Sequence, residues 1–200
     1  MPIVIGAKPE SDFSDPIGMM GDCHKRIVRF LGVLVQLAMR PAAGPLSAEE
    51  RNLLATSLRY FRDAAPKHTA DEEESLFPRL RCLASGEIDA VLSRLDSLEQ
   101  DHECADRVHA EIDRLGHVWL AHGQLQQRDA ERLRELTGEL DTLYRHHIGV
   151  EDREVFPLAA NVLSPADRKA VGAEMAARRG LGGAVRPDSF QAETSWNLRA

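Results

Sequence analysis

The sequence predicts an all-α protein, an up-down-up-down four-helix bundle with a short C-terminal fifth helix. Three observations carry this. Apolar residues recur at three- and four-residue spacing over four long stretches. Clusters of Pro, Gly and Ser separate those stretches. And two segments repeat one another 79 positions apart: His68-Thr-Ala-Asp-Glu72 with Phe77-Pro78, and His147-Ile-Gly-Val-Glu151 with Phe156-Pro157. A further pair, His24 and His102, lies 78 positions apart. The chain thus reads as two helical hairpins of like composition.

Residues 1–15 read as an irregular arm. Asp15-Pro16 supplies an N-cap and a proline at the first helical position of helix A. That helix is expected to run to about Arg40, with Ile27, Leu31, Leu34, Val35 and Ala38 on the face of His24. Pro41-Ala-Ala-Gly44-Pro45 ends it. Ser47-Ala-Glu-Glu50 is a capping box that opens helix B, whose inner face continues through Leu54, Leu58 and Phe61. Pro66 predicts a kink or short break, because it removes a backbone hydrogen bond and clashes with the preceding turn, or else the start of a separate helix. Ser85-Gly86 ends helix B. Helix C is expected from about Ile88 to His122, closed by Gly123, and helix D from about Asp129 to Asn161. Ser164-Pro165 opens a short helix E ending near Arg179. The resulting division is an arm (1–15), a bundle (16–163), and a short helix with a Gly-, Pro- and Ser-rich tail (164–200). Phe190 and Trp196 could pin that tail to the body or to a second copy in a homodimer.

At 200 residues the chain is long enough for one full core without disulfides. Its net charge of −7 argues against nucleic acid and against an anionic membrane surface as partners. No apolar run approaches the roughly 20 residues that span a bilayer. The cysteines Cys23, Cys82 and Cys104 show no paired spacing, which excludes a disulfide framework and fits a reducing cytoplasm.

The chemistry lies in how the polar inner residues align. In an antiparallel bundle the start of A, the end of B, the start of C and the end of D share one end. His24, His68, Glu72, His102, His147 and Glu151 then fall at one level, roughly 12–18 Å in from that end at 1.5 Å per residue. A His and a Glu four apart share a helix face. Imidazole and carboxylate together in a bundle core suit iron or manganese, and zinc accepts the same ligands. Burying two carboxylates without a cation is costly. If both glutamates bridge two octahedral ions together with one oxide or hydroxide, about two of the twelve positions stay open. Such positions take dioxygen, peroxide or nitric oxide.

Other polar residues are read more plainly. His109 is expected to be a core residue, or part of a second site, about 10 Å deeper. Asp106 could orient a ligand from behind, coordinate directly, or pair with an arginine. Tyr144 is read as packing one turn from His147, and Phe77 and Phe156 as closing the site against water. His117, His122 and His146 are expected at the surface.

The order His24, His68-x-x-x-Glu72, His102, His147-x-x-x-Glu151, with Leu76-Phe77-Pro78 and Val155-Phe156-Pro157, resembles the hemerythrin-like (HHE cation-binding) family over roughly residues 17–160. The resemblance implies a four-helix bundle around a non-haem di-iron centre, two oxo- or hydroxo-bridged iron ions, with those six residues as ligands. Zinc or manganese would be substitutes. Oxygen-carrying members place a second His four residues after the helix C ligand, where this chain has Asp106. The set of four His and two Glu is more similar to di-iron proteins that repair iron–sulfur clusters, although the paired cysteines of their additional domain are not found in this sequence. The expected function is uptake of a small ligand (oxygen, nitric oxide or peroxide) or of iron, for sensing or stress protection. The alternative is an enzyme that turns over peroxide, oxygen or nitric oxide, or supports cluster repair.

Overall fold

The computed structural model describes residues 10–40, 44–83 and 89–181, the side chains of 89 and 90 excepted. Four helical rods surround the core, and no strand occurs among the described residues. The first nine residues, the 41–43 breaker, the Ser85-Gly86 stop and the tail carrying Phe190 and Trp196 lie outside the described residues.

The first rod is α1 (Pro16–Ala38), capped by Asp15, whose carboxylate accepts the Gly18 N–H. The second is broken into pieces. Helix α2 (Ala48–Asp63) opens with the capping box formed by Ser47 and Glu50. It stops at Ala64, and α3 (Ala65–Ala70) begins again with Pro66 in its first turn. Pro66 has no N–H to donate, so the break falls where that bond would be lost. A π-helical turn (Asp71–Leu76) and α4 (Phe77–Cys82) complete the rod. The third rod is α5 (Asp89–His122), about 50 Å long at 1.5 Å per residue. Gly123, at φ 72°, ends it in the left-handed conformation that glycine adopts freely. The fourth rod repeats the second: α6 (Gln127–Val150), a π-helical turn (Glu151–Val155) and α7 (Phe156–Val162). It begins two residues before the expected Asp129.

Both π turns have one cause. Pro78 and Pro157 cannot donate to the i−4 carbonyl, and their rings would strike it. The chain widens by one residue instead. The Phe77 N–H then reaches back five residues to the Glu72 carbonyl, and the Phe156 N–H does the same to Glu151. The extra residue lets Glu72, Leu76 and Phe77 all face inward, each fully buried.

α1 packs on α2 and α6, and α5 packs on the same two, so the rods form a closed ring. Inside it are two apolar clusters. One contains Ile27, Leu58, Phe61, Ile112, Trp119 and Leu140. The other contains Met20, Leu76, Phe77, Leu98, Val155 and Phe156. Each candidate site residue lies along its rod between a member of one cluster and a member of the other.

α8 (Pro165–Arg178), capped by Ser164, lies across α1 and the first π turn. Its end is held by charge. Asp71, fully buried, receives Arg178 Nη1 at 2.9 Å and Arg179 Nη2 at 2.6 Å, and Arg178 Nη2 also donates to Ser75 Oγ at 2.7 Å. Gly172 of α8 allows close approach to the N-terminal arm: a Cβ there would drive into the backbone carbonyl of Phe13. Gly172→Ala is therefore expected to destabilise the protein by about 1–3 kcal/mol, an overpacking cost. Thermal unfolding should show it as a drop of about 2–4 °C per kcal/mol; an unchanged midpoint would contradict this packing.

Candidate metal centre

The six residues singled out by their spacing converge in one buried layer. His24, His68, His102 and His147 are each 6% exposed or less, and Glu72 and Glu151 are fully buried. His24 Nε2 stands 3.1 Å from Glu151 Oε2, and His147 Nε2 stands 3.2 Å from the same oxygen. His68 Nε2 lies 3.3 Å from Glu72 Oε1, and His102 Nε2 lies 3.4 Å from Glu72 Oε2. Two compact groups result: His24, His68, Glu72 and Glu151, and Glu72, His102, His147 and Glu151. Both carboxylates belong to both groups.

These distances fit donors that share a cation. Two donors each about 2.1 Å from one ion and about 90° apart lie about 3.0 Å from each other. The alternative is a hydrogen-bonded polar core, and the alignment argues against it. Both oxygens of Glu72, both of Glu151, and His24 Nε2 are buried without a hydrogen-bond partner. Native interiors rarely leave so many polar atoms unsatisfied in one place. Asp71 supplies an internal control. It is as deeply buried as its neighbour Glu72 and is neutralised by two guanidinium groups, whereas the neighbours of Glu72 are imidazoles. A cation fits this donor set.

The second nitrogens of three rings are held from outside the layer. His24 Nδ1 meets Asp152 Oδ1 at 2.8 Å, and His102 Nδ1 meets Glu73 Oε1 at 2.8 Å. His147 Nδ1 lies 3.3 Å from Asp101 Oδ2. A carboxylate that accepts the Nδ1 proton leaves the Nε2 lone pair facing inward and makes it more basic. Sequence reasoning passed over Asp152, Glu73 and Asp101. Each is adjacent in sequence to a site residue, and a helical neighbour points about 100° away, a direction easily read as solvent. In a ring of four rods it is the direction of the next rod. That adjacency, repeated at three ligand positions, was the available signal.

Asp106 is exposed and lines a cavity of about 300 Å³ beside α2 and α5, together with Leu58, Phe61, Pro66, His109 and Ile112. His109 faces that cavity, stacks on Phe61 at 4.3 Å and meets Tyr144 Oη at 3.0 Å. Tyr144 sits edge-on to His147, with ring centres 6.3 Å apart. It borders a second void, of about 10 Å³, lined by all four site histidines and by Ile27, Ala65 and Ile148. That is space for about one water-sized molecule. Phe156 stacks on His24 at 5.0 Å and Phe77 is fully buried in the apolar cluster below, so the side facing α7 is closed. His117, His122 and His146 are exposed, as expected. Cys23 is buried, Cys104 half-buried and Cys82 exposed, all as free thiols.

Comparison with known proteins decides the family. The hemerythrin HHE cation binding domain matches residues 15–159. The chain belongs to the hemerythrin HHE family. An uncharacterized protein of Haemophilus influenzae is 28% identical over 172 residues, covering 84% of this chain and 91% of that protein. Cation binding is thus a property of the family, and this hemerythrin HHE chain presents the buried nitrogen and oxygen donors for it.

The electrostatics show what balances the carboxylates when protons do the work. Burial pulls the His24 ring down, yet its hydrogen bond to Asp152 and the adjoining carboxylates Glu151 and Glu72 outweigh it and lift its pKa to about 10. His102 is likewise lifted against burial to about 9, chiefly by Glu72. Burial and the neighbouring Glu151 push Glu72 up to about 7. Burial also acts to raise Glu151, but the His147 and His24 rings set against it hold it below its ordinary value. Burial, then His24, push His68 well down. Metal ligation needs neutral imidazoles. Rings lifted in this way hold protons when no cation is bound, so cation binding displaces them. Titrating the metal-free protein with a divalent cation at pH 7.5 in dilute buffer should release protons, about one for each of the two donor groups filled. The affinity should fall at least tenfold on going to pH 5.5. Binding without proton release would contradict this balance.

Proposed function

We propose that this hemerythrin HHE protein holds two iron ions, with His24, His68, His102 and His147 as terminal ligands and Glu72 and Glu151 shared between them. The observation that carries the reading is the pair of four-residue donor groups with both carboxylates in common. Residues 16–163 form the bundle, run up-down-up-down, and α8 backs it. In this arrangement the six donors come from the matching ends of four antiparallel rods.

Iron bound there would supply Lewis acidity and open coordination positions for a small molecule such as dioxygen, nitric oxide or peroxide. The chain does the rest. Asp152, Glu73 and Asp101 fix three imidazoles by their outer nitrogens. Phe156 and the apolar cluster around it exclude water on one side. The small void beside Ile27, Ala65 and Tyr144 limits the ligand to a few atoms. Its size argues against a larger organic substrate. We assign the protein to ligand uptake for sensing or stress protection in the cytoplasm. No described helix is long and apolar enough to cross a membrane.

The test is metal analysis of protein produced with iron present, followed by anaerobic exposure to nitric oxide. About two iron ions per chain are expected, with a change in the visible spectrum that reverses when the gas is removed. Replacement of His68 or His147 by Ala should lower the iron content. Catalytic consumption of nitric oxide or peroxide under the same conditions would make the protein an enzyme instead. A chain that takes up no iron would end the reading.

A further inference from the structure

The four site histidines are not equivalent, and the difference follows a pattern around the ring. Asp152 on the fourth rod holds His24 on the first. Glu73 on the second rod holds His102 on the third. Asp101 on the third holds His147 on the fourth. Continued around the ring, the pattern requires a carboxylate on the first rod to hold His68 on the second. The repeat names its position: Asp101 precedes His102, so its counterpart is the residue that precedes His24. That residue is Cys23. Its buried thiol takes the Arg26 guanidinium at 3.0 Å. His68 Nδ1 is correspondingly buried with no hydrogen-bond partner.

We propose that the two cation positions are unequal, the one between His102 and His147 being tight and the one between His24 and His68 weak, because Cys23 interrupts the ring of carboxylates that backs the imidazoles. The inference rests on the two-ion reading above. A carboxylate behind an imidazole fixes its tautomer and raises its basicity toward the cation. A thiol is a weak acceptor and does neither well. Glu72 and Glu151 belong to both positions, so they do not separate them. Glu73 and Asp101 stand behind both imidazoles of the tight position, whereas at the weak position Asp152 stands behind His24 alone. Loss of one backing partner typically weakens metal binding 10–100-fold.

The experiment is stepwise anaerobic titration of the metal-free, full-length protein with Co(II), followed by calorimetry and visible absorption. Two steps separated by about 10–100-fold in affinity are expected. His68→Ala should keep the tight step and lose the weak one, and His147→Ala should lose the tight step. Asp101→Ala, at a partly exposed position, should weaken the tight step by about 10–100-fold and close the gap. Cys23→Asp should strengthen the weak step. Loss of the tight step in His68→Ala would overturn the proposal, as would an Asp101→Ala titration identical to that of the wild type. Either result leaves the two-ion reading standing. A wild-type protein that binds no Co(II), or binding indifferent to both histidine replacements, overturns that reading as well.

Discussion

Two carboxylates sit at the centre of this protein, and among the described residues no guanidinium or ammonium group pairs with them. An uncompensated anion in a low-dielectric interior costs several kcal/mol even after relaxation. That cost makes the surrounding imidazoles necessary, whether they carry protons or face a cation. It also explains why the polar layer is thin and why apolar clusters press on it from both sides. Water that entered the layer would solvate the carboxylates and compete for the positions that a cation and its ligand need. The π turns belong to the same constraint. By inserting a residue directly after each glutamate, they keep the carboxylate in the layer and still turn the following phenylalanine inward to seal it.

Much of this was legible in the chain. The spacing of His68 to Glu72 and of His147 to Glu151, and their placement at matching depths, follow from the rise of a helix and need no tertiary information. The Ser47 capping box, the Ala64 break before Pro66 and the Gly123 terminus are local chemistry and appear where the residues place them. What the sequence hid are relations between rods. Whether Glu73 faces solvent or His102 depends on which helix lies beside it. The neutralisation of Asp71 by Arg178 and Arg179 spans more than a hundred residues, and no periodicity announces it. The π turns fall between these cases. Pro78 and Pro157 were visible inside otherwise continuous helical patterns, and a proline there must displace a hydrogen bond. Its absorption by a wider turn, and not by a kink, is decided by packing.

The internal repeat deserves a physical reading because it extends beyond the six central residues. Asp152 and Glu73, each directly after a glutamate of the layer, hold histidines on opposite sides of the ring. The two halves of the bundle thus supply one another's support, each finishing the site that the other begins. Neither hairpin alone contains a complete donor group, since every group draws on both.

The match to the family ends at residue 159, whereas the counter-charges of Asp71 lie at 178 and 179. Asp71 is adjacent to Glu72, so the last described helix steadies the backbone that carries a central carboxylate. A chain cut at the family boundary would keep all six inner donors and strand a buried anion beside one of them. The charge balance of the bundle therefore reaches past the segment that matches the family, into the last described helix.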